Sequence, residues 1–226
     1  MAIGRGLNNI GECLFQEFAE IFSKKGYEEF DILKQIPNII KTDILEYFEY
    51  HIMDFAVNGD GEADSFFMLR TKELYDNNPN PTYISEYISI VGQLFLAGYI
   101  EFGMCGLQDK EENLLANQGV DKYQAWIYFR DNFFYTGAYE IGITDLEEKY
   151  PNMSDDDYVY SNWDTPQYWD RYRFWVMTTP KGEKYFNEIL APRFYNKYKD
   201  LEVEIDDKGN IVNGLMWSLK KVSHLI

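Results

Sequence analysis

Alternating carboxylates in the stretch NGDGEAD are the first side chains whose spacing could do chemistry. Asp60, Glu62 and Asp64 occupy every second position, as the first ligands of a calcium-binding loop do. Such a loop also needs a glycine at its sixth position, where Ala63 or Ser65 stands here, and a glutamate at its twelfth, which this stretch lacks. We therefore interpret it as an acidic turn between helices, with a partner-facing loop as the functional alternative.

A second acidic stretch, SDDDYVYSNWDTPQYWD, joins carboxylates to large aromatic rings. Exposed rings supply contact area and cation–π attraction, and neighbouring carboxylates attract a basic partner, so the combination is typical of a protein-binding segment. The alternative is that the rings pack into the core while the acids face water. On the first interpretation, the partner-binding residues are Asp155, Asp156, Asp157, Tyr160, Trp163, Asp164, Trp169 and Asp170, together with Asp60, Glu62 and Asp64.

Histidine and cysteine are too few and too scattered to predict a metal site. His51 and His224 each stand alone, and Cys13 and Cys105 lie far apart on apolar stretches, which favours buried thiols. The motifs of serine hydrolases, phosphate loops, dinucleotide folds and zinc proteases do not occur. The sequence therefore predicts no cofactor, no metal and no enzyme activity, although a pair of carboxylates could catalyse a reaction without any motif.

The charge of the chain is strongly negative and unevenly distributed. Its 226 residues carry a net charge of −17. Residues 1–170 hold 31 acidic against 11 basic side chains, whereas residues 171–226 hold 7 against 10. A negative field repels nucleic-acid phosphates and attracts basic proteins, although an acidic surface also serves solubility alone. We therefore expect a basic protein partner and no nucleic acid.

The longest apolar run falls short of a membrane span. Residues 88–100 form this run, and it is shorter than the roughly 20 residues that a transmembrane helix needs. No charged leader precedes an apolar stretch at the amino terminus. The sequence therefore predicts a cytoplasmic protein without membrane contact.

Apolar residues recur at helical spacing in four stretches of the first hundred residues. The clearest of them, TYISEYISIVGQLFLAG, ends at Gly98, and residues 99–102 continue with the period of two that is typical of a strand. The helices are expected at residues 13–26, 42–57, 66–76 and 82–97.

Residues 105–170 form a long insertion with mixed signals. In this insertion, KEENLLANQ and DKYQAWIYFRDNF are typical of helices, TGAYEIGIT is typical of extended chain, and residues 150–170 resemble an acidic, aromatic loop.

A strand, a helix and a hairpin follow the insertion. Thr179 is expected to cap the helix and Pro180 to be its first residue, directly after a strand at residues 174–178. The stretch LEVEIDDKGNIVNGLMW predicts a C-terminal β-hairpin. The expected fold is therefore α+β and mostly helical, in one domain made of a helical part at 1–104, the insertion at 105–170, and the strand, helix and hairpin at 171–226.

The order of these elements resembles the winged-helix family. The likeness is carried by a helix that ends in LAGYIEFG and by a later strand followed by TTPKGEKYF, and it covers residues 42–104 and 171–190. It implies a two-stranded wing and a DNA-reading helix before it. This helix has no Lys or Arg from Tyr83 to Phe95, and the long insertion stands where that family has a short turn. A regulator would have to use Arg171, Arg173, Lys181 and Lys184 as a basic stripe.

The chain also resembles small bacterial immunity proteins, which neutralise toxin domains delivered by neighbouring cells. The residues that carry this likeness are Leu96, Gly98, Tyr99, Ile100 and Glu101, then Thr179, Pro180, Gly182, Glu183 and Tyr185. The resemblance implies stoichiometric inhibition of a cognate toxin domain, often a nuclease with a basic cleft. A cytoplasmic immunity protein is therefore our first interpretation, and a winged-helix regulator or a carboxylate enzyme is the alternative.

Overall fold

The computed structural model describes residues 2–20, 29–36, 39–59, 83–106, 113–208 and 210–213. The helix predicted over residues 66–76 and the carboxylates Asp60, Glu62 and Asp64 lie outside the described residues. The chain groups into two compact units, one made of residues 1–50 and 187–226, the other of residues 51–186. The expectation of a single domain stays a prediction.

The fold is of the α+β class and mostly helical, as the sequence predicts. The described α-helices are α1 (Glu29–Gln35), α2 (Lys41–Asn58), α3 (Ile84–Ala97), α4 (Lys122–Phe129), α5 (Ile143–Lys149), α6 (Asp155–Val159), α7 (Pro180–Tyr185) and α8 (Ala191–Tyr198). The described strands are β1 (Ala2–Arg5), β2 (Ile100–Met104), β3 (Phe174–Thr178), β4 (Glu202–Ile205) and β5 (Ile211–Asn213). Short turns of 3₁₀-helix at Gln16–Phe18, Leu115–Asn117 and Pro166–Tyr168 and π-helical turns at Arg130–Phe134 and Phe186–Leu190 join these elements.

The first unit contains a three-stranded antiparallel sheet in the order β1, β4, β5. The hairpin of β4 and β5 confirms the predicted C-terminal hairpin, whereas β1 is absent from the sequence prediction because four residues are too few to show a period. Gly4 in β1 lets the Phe18 ring pack against the strand, since a Cβ at Gly4 would lie 2.6 Å from the ring. The sheet therefore closes over a buried aromatic ring.

Charged side chains of the first unit are paired with one another. Arg193 on α8 bonds Glu46 and Glu49 on α2, and Lys197 bonds Asp43 and Glu46. Two of the basic residues in the C-terminal part are therefore engaged with carboxylates of the same unit.

The first predicted helix, over residues 13–26, starts later than the sequence pattern suggests. Phe15 has a left-handed backbone (φ 57°) and its N–H donates to the carbonyl of Gly6, so the helical turn begins only at Gln16. Cys13 is exposed and Cys105 is half-buried, which makes the prediction of two buried thiols wrong for Cys13.

The second unit contains the predicted helix–strand element. Helix α3 ends at Gly98, whose φ of 74° suits glycine, and β2 follows at once. β2 pairs antiparallel with β3, from Ile100 opposite Thr178 to Met104 opposite Phe174, and α7 begins directly after β3. The winged-helix-like order of helix, strand, returning strand and helix is therefore confirmed.

Thr179 connects the two helix ends of this element. Its hydroxyl accepts a hydrogen bond from the N–H of Gly182 (3.0 Å), which caps α7, and donates to the carbonyl of Gly98 (2.7 Å) at the end of α3. Gly182 permits this approach because a Cβ there would lie 1.9 Å from the carbonyl oxygen of Tyr99. The Thr-Pro step therefore links the start of α7 to the end of α3 and has a structural role.

We expect Thr179→Ala to lower the free energy of unfolding by about 1–2 kcal/mol, because the cap and the hydrogen bond to Gly98 are both lost. Urea unfolding measures this change, and Thr179→Ser, which keeps the hydroxyl, serves as the matched control. Unchanged stability of Thr179→Ala combined with lost partner binding would show a contact residue instead.

The insertion has an aromatic core built around Phe174 of β3. The centre of this ring lies 4.9 Å from that of Phe129, 5.0 Å from Phe133, 5.1 Å from Trp163 and 4.8 Å from Trp169. Most of these pairs meet edge to face, the arrangement that aromatic quadrupoles favour. The predicted helix in DKYQAWIYFRDNF is confirmed as α4 and the π-helical turn after it.

Three local predictions for the insertion are wrong. In KEENLLANQ, residues 110–112 lie outside the described residues, Leu114 is extended, and the helical part is limited to the 3₁₀ turn Leu115–Asn117. The stretch TGAYEIGIT forms turns and the start of α5 rather than extended chain, because Gly137 takes a left-handed φ of 77° and the N–H of Gly142 bonds the Asp145 carboxylate that caps α5. Residues 150–170 contain α6 and the 3₁₀ turn Pro166–Tyr168 rather than a continuous loop.

Among the described helices, none combines the length and apolar character that crossing a bilayer requires.

Candidate functional site

The predicted partner-binding residues of the insertion divide into a buried and an exposed group. Trp163 is 7% exposed, Trp169 is 1% exposed and Asp170 is fully buried. These three are therefore unavailable to a partner in the folded chain, which corrects the prediction that they form part of a binding surface. The exposed group consists of Asp155, Asp156, Asp157, Tyr160 and Asp164.

The two tryptophans are buried because their polar atoms find partners inside the insertion. The indole N–H of Trp163 donates to the carbonyl of Asn113 (3.2 Å), and that of Trp169 donates to the carbonyl of Asn162 (3.0 Å). With the indole N–H groups satisfied, both rings can join the core around Phe174 at little cost. The alternative interpretation, in which the rings pack into the core, therefore holds for Trp163 and Trp169.

Asp170 belongs to a buried polar network with Tyr158 and Arg173. The Tyr158 hydroxyl donates to Asp170 (3.1 Å), and the Arg173 guanidinium donates to the Tyr158 carbonyl (2.6 Å) and lies 4.4 Å from the centre of its ring. Burial raises the pKa of Asp170 above its usual range, although hydrogen bonds from Tyr158 and Tyr172 oppose the rise. The network fixes α6, which carries Tyr158, against the residues before β3.

The basic residues that a DNA-binding regulator would need do not form one exposed stripe. Arg173 is buried, Arg171 is half-buried and donates to the carbonyl of Ile141, and Lys181 donates to the carbonyl of Ala97. Lys184 is exposed. The geometry that would favour a regulator is therefore missing from this part of the described chain.

Residues 131–170, which we name the acidic segment, hold ten Asp and Glu against one Lys. Nine of the ten are exposed, and only Asp170 is buried. The exposed carboxylates are Asp131, Glu140, Asp145, Glu147, Glu148, Asp155, Asp156, Asp157 and Asp164.

The acidic segment folds back repeatedly onto residues 168–173. The carbonyl of Ile141, just before α5, accepts from the backbone and side chain of Arg171, and the ring of Tyr150, just after α5, packs on Tyr168. Tyr158 of α6 is tied to the same stretch. Six residues span at most about 20 Å, so α5 and α6 are both attached to one short stretch of chain and present negative charge to the same approaching partner.

Capping orients part of this charge. Asp145 accepts from the N–H of Gly142 at 2.7 Å, and Asp157 accepts from the N–H of Ser154 at 2.9 Å. The hydrogen bonds from Ser154 hold the pKa of Asp157 below its usual range. The sequence interpretation omits Glu147 and Glu148; the run ITDLEEK directly after Gly142 is the signal that would identify them as part of a capped acidic helix.

An open groove of about 640 Å³ borders the acidic segment. It runs between the loop at residues 118–121 and the turn at residues 162–165, and Tyr128 and Trp163 are among its lining residues. The Tyr128 hydroxyl donates to the Trp163 carbonyl (2.7 Å) and so joins α4 to the turn. Asp121 and Asp164 bring two exposed carboxylates to its sides. The sequence interpretation includes Asp164 but misses Asp121 and Tyr128, which carry no motif.

The described ranges bring no three His, Cys, Asp or Glu side chains together in a way that could hold a metal ion. Burial lowers the pKa of the half-buried His51 to about 4, so this histidine is neutral at physiological pH.

No protein-family model, curated protein or solved structure matches the chain. The functional assignment therefore depends on the charge, exposure and packing of this chain's own residues. Of these, the acidic segment and the groove beside it have the features of a surface that binds another molecule.

Proposed function

We propose that this chain is a cytoplasmic immunity protein that binds and neutralises a basic antibacterial toxin domain. The observation that carries the proposal is the acidic segment, in which nine exposed carboxylates stand against a single Lys. Concentrated charge of one sign steers a partner of the opposite sign and raises its association rate. The overall charge of −17 acts in the same direction.

Apolar side chains lie exposed among these carboxylates. Tyr160, which directly follows α6, is 70% exposed, and Val159 and Tyr172 are exposed as well. Tyrosine is enriched in the centres of protein interfaces because it combines a large contact area with a hydroxyl. Charge that guides a partner and rings that hold it therefore occur in the same part of the chain.

Binding is favoured over catalysis at the groove. Asp121 and Asp164 are the kind of carboxylate pair that the enzyme interpretation requires, but both are exposed and the groove is open. Asp121 also accepts from the N–H of Gln124 (2.8 Å) as the cap of α4. Paired-carboxylate catalysis relies on a site that shields one acid from water, whereas both of these carboxylates are exposed.

The acidic segment could neutralise a nuclease toxin by competing with nucleic acid for the basic residues of the toxin. A nuclease toxin binds phosphates through a cluster of Lys and Arg, and the acidic segment offers the same cluster a competing set of carboxylates. A nuclease inhibited in this way would lose access to nucleic acid without any reaction taking place.

The proposal is tested by co-expression with the product of the reading frame immediately upstream, which we expect to be a basic toxin domain. We expect the chain to restore growth and to co-purify with the toxin in a one-to-one complex. The control is an unrelated acidic protein of similar net charge, expressed at the same level. Growth that stays arrested despite full expression, or equal protection by the control, would contradict the proposal.

A further inference from the structure

We propose that the groove between residues 118–121 and 162–165 receives an arginine side chain of the basic partner. This inference rests on the proposed function and deepens it, because it names one contact within the binding surface. The groove has the volume of an ordinary ligand site, so it can hold an arginine side chain together with neighbouring backbone.

The aromatic lining of the groove suits a planar cation. Tyr128 is partly exposed there, and its ring is supported edge to face by Trp169 behind it, with ring centres 6.0 Å apart. A guanidinium group stacks on such a ring through cation–π attraction and flat contact, whereas the smaller, strongly hydrated ammonium of lysine gains less.

The Asp121 carboxylate and the turn that carries Asp164 are fixed before any partner arrives. Asp121 is fixed as the cap of α4, and the backbone N–H of Asp164 bonds the Asn162 side chain (2.8 Å), which fixes the turn. Burial raises the pKa of the Tyr128 hydroxyl, and the negative charge of Asp164 adds to the rise, so this carboxylate acts at the ring itself. Preformed acceptors reduce the entropy that binding costs.

The remaining lining completes the match. Lys and Arg are missing among the described residues that line the groove, so nothing there competes with an incoming guanidinium for its two carboxylates. Val120, at the edge, is 95% exposed and offers apolar contact to the chain that carries the arginine. Charge, ring and apolar edge together define a site for one basic side chain.

The test uses the full chain and two synthetic probes, an acetylated tetra-arginine amide and its tetra-lysine counterpart, with affinity measured by calorimetry at low ionic strength. The groove variant combines Asp121→Asn, which keeps the helix cap, with Asp164→Asn. The matched control combines Glu147→Gln with Glu148→Gln, which removes the same two charges from α5.

We expect the groove variant to weaken binding of the arginine peptide about tenfold, since each ion pair contributes modestly and the two add. The control should weaken it about twofold, because Glu147 and Glu148 do not line the groove and contribute only to the general negative charge. The lysine peptide should bind the wild-type chain several-fold more weakly than the arginine peptide. Tyr128→Leu should abolish this preference for arginine, with thermal melting as the control for its fold.

Equal losses in the groove and control variants, or equal affinity for both peptides, would overturn the inference. If the chain protects against the toxin but shows either of these results, the proposed function stands and the arginine site in the groove is rejected. If the groove selects arginine but the chain gives no protection, the arginine site stands and the proposed function is rejected.

Discussion

Trp169→Ala is expected to lower the free energy of unfolding by about 3–5 kcal/mol, the range for removing a large buried ring. Trp169 is almost completely buried and packs against Tyr128, Phe129, Trp163 and Phe174. The substitution also leaves the carbonyl of Asn162 without the indole donor that bonds it at 3.0 Å. Urea unfolding followed by circular dichroism measures the loss.

Trp169→Phe is the matched control, since it keeps a ring in the cluster and removes only the indole N–H and part of the volume. We expect it to cost less than half as much as the alanine substitution. If Trp169→Ala kept wild-type stability and only released the partner faster, the ring would be an interface anchor rather than part of the core.

The sequence predicts the helix–strand element because its signals are local. Gly98, Thr179 and Pro180 fix helix ends by backbone geometry and capping, and these effects act within a few residues. The antiparallel partnership of β2 and β3 is a long-range event, and the winged-helix resemblance supplies it where the periodicity does not.

The fate of the aromatic rings could not be predicted from their stretch alone. Tyr160 and Trp163 stand three residues apart among the same acids, yet Tyr160 is exposed and Trp163 is buried. The difference arises from partners distant in sequence: the indole of Trp163 bonds Asn113, and its ring packs on Phe174. When burial depends on contacts with residues distant in sequence, the local composition does not predict it.

The groove could not be predicted from the sequence for the same reason. Asp121 and Tyr128 carry no sequence motif, and they come near Asp164 only in the fold, where the Tyr128 hydroxyl bonds the Trp163 carbonyl. The acids themselves are visible in the sequence, since charge needs no tertiary partner to be counted.

Neutralising four carboxylates of α5 and α6 is expected to slow association with the basic toxin domain about tenfold or more at low salt, because steering depends on local charge. Dissociation should change little, as is usual for exposed rim charges. Asp157 is kept because it caps α6. The measurement is stopped-flow association, and the variant carries Glu147→Gln, Glu148→Gln, Asp155→Asn and Asp156→Asn.

The control removes four exposed carboxylates that lie outside the acidic segment, so that net charge changes equally. We expect a clearly smaller effect on association, because these charges do not belong to the acidic segment that steers the partner. It carries Glu183→Gln, Glu188→Gln, Asp200→Asn and Glu202→Gln.

The most direct test of the central claim is the association rate of the wild-type chain and both variants with the toxin domain across a range of ionic strength. We expect a rate that falls steeply with salt for the wild type and the control, and a flatter dependence for the α5–α6 variant. All three rates should converge at high salt, where the Debye length shrinks to about 3 Å. A wild-type rate that is independent of salt, or identical curves for the two variants, would contradict the assignment of partner binding to the acidic segment.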